Sequence, residues 1–121
     1  MAKKTAVIGA SDNPARYSYL AANMLRENGH TVVPLGIRKG FIGDLEIVTE
    51  WPKRIEDLDT VTMYIGPKRQ PELYDYILAL HPKRIVFNPG TENDELRELA
   101  RSKGIATENA CTLVLLSTGQ Y

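Results

Sequence analysis

Short runs of apolar residues recur along the chain, and most of them end at glycine, proline or asparagine. Such runs, rich in β-branched residues and closed by turn residues, are typical of strands buried inside a sheet. They cover residues 5–10, 31–35, 60–65, 84–87 and 105–107. The pattern therefore predicts five core strands.

Stretches with a helical repeat of apolar residues separate these runs. The predicted helices start near Ala15, with a stop at residues 28–29, and then cover 71–80, 92–103 and 113–116. Their inward faces are predicted to contain Leu20, Ala21, Met24 and Leu25, then Leu73, Ile77 and Leu80, then Leu96, Leu99 and Ala100. Residues 36–43 are predicted as a loop, and residues 45–48 as a short strand or extended edge.

The alternation of strands and helices predicts the fold class. It indicates an α/β domain with a doubly wound, mainly parallel, Rossmann-like sheet of about five strands and helices on both faces. We expect residues 1–121 to form one domain, since this length is usual for one. In such sheets ligands bind outside the carboxyl ends of the strands, where the strand order reverses.

Composition narrows the function classes. The chain of 121 residues has 15 basic and 15 acidic side chains, so it lacks the basic excess expected of a nucleic-acid-binding protein. Its single cysteine excludes an intramolecular disulfide, and no apolar run approaches the length of a membrane span. We therefore expect a cytoplasmic protein whose partner is a small molecule.

The loop after the first strand is the strongest candidate binding element. The segment Gly9-Ala10-Ser11-Asp12-Asn13-Pro14 follows a strand and precedes a helix. Small residues there let a phosphate approach the backbone N–H groups and the positive end of the helix. Arg16, Tyr17 and Ser18 lie in the next turn, within reach of the same ligand. The alternative is an ordinary strand-to-helix turn with a capping side chain.

The end of the second strand indicates which nucleotide the loop would hold. An NAD site needs an acidic residue there to accept from the ribose hydroxyls. This strand ends Val33-Pro34-Leu35-Gly36 without an acid, and the next charges are Arg38 and Lys39. The basic pair favours a phosphorylated ribose, as in NADP or coenzyme A. The alternative is that both are solvated loop charges.

The other residues with reactive or metal-binding side chains have no suitable partner residue nearby in the sequence. Cys111 is a candidate thiol near the start of the last helix, although a lone cysteine is more often a small buried residue. His30 and His81 stand at helix ends without a second ligand at metal spacing. We predict no catalytic residue and no metal site. Lys68 and Arg69 are interpreted as a solvated pair that at most steers an anion.

Several of these segments together resemble a known family. Residues 7–18, read as Val-Ile-Gly-Ala-Ser-Asp-Asn-Pro-Ala-Arg-x-Ser, residues 33–35 with the basic loop, and Asn-Pro-Gly-Thr at 88–91 are similar to the small stand-alone CoA-binding domain proteins. These are relatives of the CoA-binding domain of the succinyl-CoA synthetase α subunit. The likeness runs from Lys4 to about Cys111.

The resemblance implies a role for each loop. The first loop would take the CoA pyrophosphate, Arg38 or Lys39 would meet the ribose phosphate, and residues 64–67 would line the adenine or pantetheine side. Two positions depart from the family: Gly36-Ile37 stands where relatives often have Asn-Pro, and Ile65 stands where they often have arginine. The predicted contact residues are Gly9, Ala10, Ser11, Asn13, Pro14, Arg16, Tyr17, Ser18, Pro34, Leu35, Arg38, Lys39, Ile65, Gly66, Pro67, Asn88, Pro89, Gly90 and Cys111.

Three functions remain open at this point. The first is a binding protein for coenzyme A or an acyl-CoA without catalytic residues of its own. The second is part of an enzyme, either a fragment of an NADP-linked reductase or an accessory subunit of an acyl-CoA ligase or transferase. The third is a degenerate Rossmann domain that self-associates as a homodimer through the apolar residues 113–116 and Tyr121.

Overall fold

Strands and helices alternate along the chain as the sequence predicts. The computed structural model describes residues 2–121. In chain order the elements are β1 (Thr5–Ile8), α1 (Tyr17–Glu27), β2 (Val32–Leu35), β3 (Phe41–Ile42), β4 (Leu45–Glu46), β5 (Thr60–Met63), α2 (Tyr74–Leu80), β6 (Arg84–Phe87), α3 (Asp94–Ser102), β7 (Ala106–Asn109) and α4 (Thr112–Ser117). Two short 3-10 turns, Pro67–Arg69 and Pro71–Leu73, precede α2.

Five strands form one parallel sheet in the order β2-β1-β5-β6-β7. The chain starts at β1, passes outward to β2, and then crosses back over β1 to continue with β5. The strand order therefore reverses between β1 and β5, and Val7 pairs with Pro34 on one side and with Thr62 on the other. This arrangement confirms the predicted α/β, doubly wound fold.

The sheet has a hydrophobic core on each face. Ala6 and Ile8 point to the layer that contains Ile77 of α2 and Leu96 of α3. Val7, between them in β1, points to the opposite layer with α1 and α4. A strand covered on both faces must be apolar at every position, which is why β1 appears as a continuous apolar run. No helix within residues 2–121 is both long and apolar enough to cross a membrane.

Two predicted inward positions are wrong. Leu20 of α1 is 43 % exposed and Leu99 of α3 is 38 % exposed. The buried residues of α1 are instead Ser18, Ala21, Ala22 and Leu25. These four residues are spaced i, i+3, i+4 and i+7 and form the inward stripe, so Leu20, two residues after Ser18, lies outside it.

The predicted loop at 36–43 contains a strand. Phe41–Ile42 pairs antiparallel with Leu45–Glu46 to form a two-residue hairpin. Ile42 is fully buried and joins the core beneath α1, and Val48 then makes a parallel bridge to Leu35. One buried side chain thus holds the hairpin against the domain.

The apolar segment predicted to form a dimer interface packs largely on this chain's own core. Leu116 and Tyr121 are buried with Val7 and the inner face of α1. The Tyr121 hydroxyl lies 2.6 Å from Thr5 Oγ1, and the Arg84 guanidinium lies 4.5 Å from the centre of the Tyr121 ring.

The imidazole of His30 gives the fold a pH dependence. The Lys3 backbone N–H donates to His30 Nδ1 at 2.9 Å, which requires that nitrogen to be unprotonated. Burial and the Lys3 charge lower the pKa of His30 below 6.5. Protonation is then easier in the unfolded chain, so we expect the free energy of unfolding to fall as the pH drops below about 6.5. Urea unfolding at several pH values measures this.

Two variants test the assignment to His30. His30→Asn keeps a side-chain acceptor without a titrating ring, and it should flatten this part of the pH profile. His81→Asn is the control, because His81 is exposed and has a positive φ of 48° that asparagine tolerates. Equal flattening in both variants would contradict the assignment.

Candidate functional site

A cleft of about 840 Å³ opens at the carboxyl ends of the strands, where the strand order reverses. Cavities that bind small molecules measure roughly 300–1,000 Å³ and favour this position in α/β sheets. The lining residues are Gly9, Ala10, Ser11, Asp12, Asn13, Arg16, Tyr17, Ser18, Gly36, Ile37, Arg38, Ile47, Trp51, Tyr64, Ile65, Gly66, Arg69, Pro89, Gly90 and Thr91.

The loop after β1 turns sharply against the end of β2. The N–H groups of Gly9 and Ala10 both donate to the Leu35 carbonyl at 3.0 Å. Within residues 2–121 the amides of Ser11 and Asp12 have no such partner. The amides of this loop that remain available to an anion are therefore those of Ser11 and Asp12, one step further along than Gly9 and Ala10.

Side chains in the same loop hold its shape. The Asn13 N–H donates to Ser11 Oγ at 3.1 Å, and the Ala15 N–H donates to Asn13 Oδ1 at 3.0 Å. Helix α1 then begins without a side-chain cap on its N-terminal amides. Because the first amides of a helix lack intrahelical acceptors, they favour an anion at this end.

Gly36, after β2, allows a close approach between two loops. A Cβ atom on Gly36 would lie 2.7 Å from the Ala10 carbonyl oxygen and 2.7 Å from Ile47 Cγ2. The Gly36 N–H donates to Val48, and its carbonyl accepts from Trp51 Nε1 at 2.9 Å. The departure from the family pattern at this position therefore has a packing reason.

Three arginines from three different loops line the cleft. Arg16 follows β1, Arg38 follows β2 and Arg69 follows β5. Asp12 is the one acidic side chain among the lining residues named above, and its carboxylate lies over Gly40. The cleft consequently combines unpaired backbone amides with a positive side-chain charge, which suits a ligand with several negative groups.

Most of the predicted contact residues come together in this cleft. Those in the lining are Gly9, Ala10, Ser11, Asn13, Arg16, Tyr17, Ser18, Arg38, Ile65, Gly66, Pro89 and Gly90. Those that the structure places outside the lining are Pro14, Pro34, Leu35, Lys39, Pro67, Asn88 and Cys111. Pro34 and Leu35 are buried in β2 behind the loop, which leaves only their backbone near the site.

The side chain of Asn88 is fully used inside the fold. Its Nδ2 donates to Thr62 Oγ1 at 2.7 Å and to the Met63 carbonyl at 2.8 Å. Its Oδ1 accepts from the Thr112 N–H at 2.8 Å. Asn88 therefore joins β5 and β6 to the start of α4 beneath the cleft. Cys111, the residue before α4, is partly buried outside the cleft lining.

Tyr64 lines the cleft but sends its hydroxyl into the core. Within the described part of the chain this hydroxyl is buried without a hydrogen-bond partner. Burial raises the pKa of Tyr64 well above its ordinary value, so the phenol stays protonated. The tyrosine thus contributes no charge to the wall of the cleft.

Some lining residues were not among the predicted contacts. They are Asp12, Gly36, Ile37, Ile47, Trp51, Tyr64, Arg69 and Thr91. Ile47 and Trp51 come from the segment that follows the hairpin, and their spacing in the sequence gives no sign of a site. Arg69, predicted as a solvated charge, is exposed and also borders the cleft, since the short turn Pro67–Arg69 carries it there.

Comparisons with known proteins identify a family and several similar structures. Residues 3–117 match the model of a family described as CoA binding domain. A crystal structure of an uncharacterized protein is 48 % identical, with a TM-score of 0.96, and the match covers 100 % of this chain and 99 % of that one. No curated protein matched the chain.

Two further solved structures share the fold. A Thermus thermophilus protein known as cell-free ID.343 is 25 % identical, with a TM-score of 0.85 over 99 % of this chain and 91 % of that one. A hypothetical protein from Pyrococcus horikoshii OT3 is 23 % identical, with a TM-score of 0.83 over 97 % and 83 %. None of the three descriptions names a ligand.

The close contact at Gly36 leads to a stability prediction. In Gly36→Ala the new methyl group meets backbone and a core side chain, so we expect a loss of about 1–3 kcal/mol in the free energy of unfolding. Gly66→Ala is the matched control, because a Cβ atom there meets nothing within 4 Å and φ is −63°. Equal stability of the two variants in urea unfolding would contradict the packing argument.

Proposed function

The chain belongs to the CoA binding domain family, and we propose that it holds coenzyme A or an acyl-CoA in the cleft without catalytic residues of its own. The observation that carries the proposal is the meeting of unpaired loop amides with three arginines in one cleft. This combination suits a ligand with a pyrophosphate and a further phosphate group. Coenzyme A has both.

The pyrophosphate lies on the loop after β1 in this proposal. The amides of Ser11 and Asp12 and the first amides of α1 supply donors aimed at an anion. The Ser11 hydroxyl accepts from Asn13, which leaves its own proton for a phosphate oxygen. Arg16 adds charge from the position just before α1.

The ribose phosphate is assigned to Arg38. Both Arg38 and Lys39 follow the second strand, but only Arg38 lines the cleft. The strand itself ends without the acidic residue that an NAD site would place there against the ribose. A guanidinium also matches a phosphate through two parallel hydrogen bonds.

The rest of the cofactor runs along the wall formed after β5 and β6. Ile65 and Gly66 supply one part of this wall, and Pro89 and Gly90 supply the other. These small and apolar groups suit an adenine or pantetheine surface. Arg69 adds a positive charge near this wall. Ile65, in the wall itself, stands where relatives often have arginine.

Discrimination between ligands tests the assignment of Arg38. In Arg38→Ala we expect CoA affinity to fall by about 10- to 100-fold, because one charge-assisted contact with the ribose phosphate is lost. Affinity for dephospho-CoA should stay unchanged. Titration calorimetry measures both, and the fluorescence of Trp51, the single tryptophan, gives an independent signal from the cleft wall.

Lys39→Ala is the matched control, since it removes the neighbouring charge outside the lining. We expect it to change the affinity for either ligand by no more than about threefold, as for a screened surface charge. Equal losses for CoA and dephospho-CoA in Arg38→Ala would assign Arg38 to another part of the ligand. Tighter binding of NADP than of CoA would replace the proposed cofactor.

A further inference from the structure

Gln70 is a polar side chain with no exposed surface. It follows the turn Pro67–Arg69 and is 0 % exposed. Glutamine is mostly exposed in folded proteins, and a buried amide costs stability unless its hydrogen bonds are made. Its position therefore has to be explained by its partners.

Those partners belong to two loops of the cleft. Gln70 Nε2 donates to the Ile65 carbonyl at 2.8 Å and to the Thr91 carbonyl at 2.8 Å. Ile65 and Thr91 both line the cleft, one after β5 and the other after β6. Strand pairing between β5 and β6 ends at Met63 and Phe87. Beyond that pair, the Gln70 amide joins the two loops.

The amide is itself held from a third side. Asn93 Nδ2 donates to Gln70 Oε1 at 2.8 Å and to the Tyr74 hydroxyl at 2.8 Å. Asn93 also caps α3 by accepting from the Leu96 N–H at 3.1 Å. Both protons of the Gln70 amide and one acceptor site of its oxygen are thus used, so the side chain is fixed in one orientation.

We propose that Gln70 is a positioning residue for the ligand in the cleft. It does not line the cleft, and it acts through the Ile65 and Thr91 carbonyls to keep the two loops at a fixed separation. Arg69 is the preceding residue, so the same contacts hold the backbone from which its side chain extends. A wall held in this way binds its ligand without first having to be ordered. The inference rests on the proposed binding of CoA.

Two substitutions separate this role from general stability. Gln70→Met keeps the volume and removes every side-chain hydrogen bond, whereas Gln70→Glu keeps the acceptor for Asn93 and, as a carboxylate, loses both donors. Tyr121→Phe is the matched control, because it removes a buried 2.6 Å hydrogen bond to Thr5 that involves no cleft-lining residue. Urea unfolding first establishes the stability of each variant.

Binding is then measured with two probes, CoA and inorganic pyrophosphate. We expect both Gln70 variants to bind CoA about tenfold more weakly, because the wall must now be ordered on binding. Pyrophosphate affinity should not change, since the hydrogen bonds that shape the loop after β1, from Gly9 and Ala10 to Leu35 and from Asn13 to Ser11, do not involve Gln70. Tyr121→Phe should lower stability and leave CoA affinity as in the wild type.

Hydrogen exchange of the ligand-free proteins reports the loops directly. We expect faster amide exchange around residues 65–66 and 90–91 in the Gln70 variants, and no change there in Tyr121→Phe. Unchanged CoA affinity or unchanged exchange in the Gln70 variants would overturn the role of Gln70 alone. An equal affinity loss in Tyr121→Phe would also overturn it. A wild-type protein that binds no CoA would overturn the proposed function itself.

Discussion

The close approach of the loop after β1 to the ends of β2 and β5 is the constraint on which the site depends. Two successive amides, those of Gly9 and Ala10, share the Leu35 carbonyl. A Cβ atom on Gly9 would lie 2.8 Å from the Tyr64 carbonyl oxygen, and φ there is +100°. Only glycine combines this conformation with this contact at little cost. The turn therefore leaves the sheet at one fixed angle and presents the next amides to the cleft.

The same close approach limits the size of the residue that follows the second strand. Since the Ala10 carbonyl occupies the space beside Gly36, a larger residue there would displace the first loop. Ile47 fills the other side of Gly36, and Trp51 binds its carbonyl. The hairpin segment is thus part of the site's support, although it contributes only two short strands. A substitution that changes the packing around Gly36 would therefore also move the unpaired amides of Ser11 and Asp12.

The core strands and the sheet edge at which the cleft opens could be predicted from the sequence because both follow from local pattern. Buried parallel strands have continuous apolar runs, and turn residues mark their carboxyl ends. The hairpin was missed because a two-residue strand has no period to detect, and its anchor Ile42 is recognisable only in three dimensions. Leu20 and Leu99 show the limit of helical periodicity, which identifies the apolar residues of a helix but not which of them the sheet covers.

Site residues were harder to predict because a polar residue at a strand end has two possible roles. It can face the ligand, or it can hold the loops that do. Asn88 directly follows β6 and Gln70 follows the turn after β5. Both carry an amide, yet each is buried with its amide donors engaged inside the fold. Arg38 and Lys39 are adjacent, and only the first lines the cleft. Residue type identifies which groups can serve an anion site, whereas the direction of each side chain depends on contacts between loops distant in sequence. In the proposed binding mode, recognition therefore relies on backbone amides and a few arginines, and buried amide side chains hold that backbone in place.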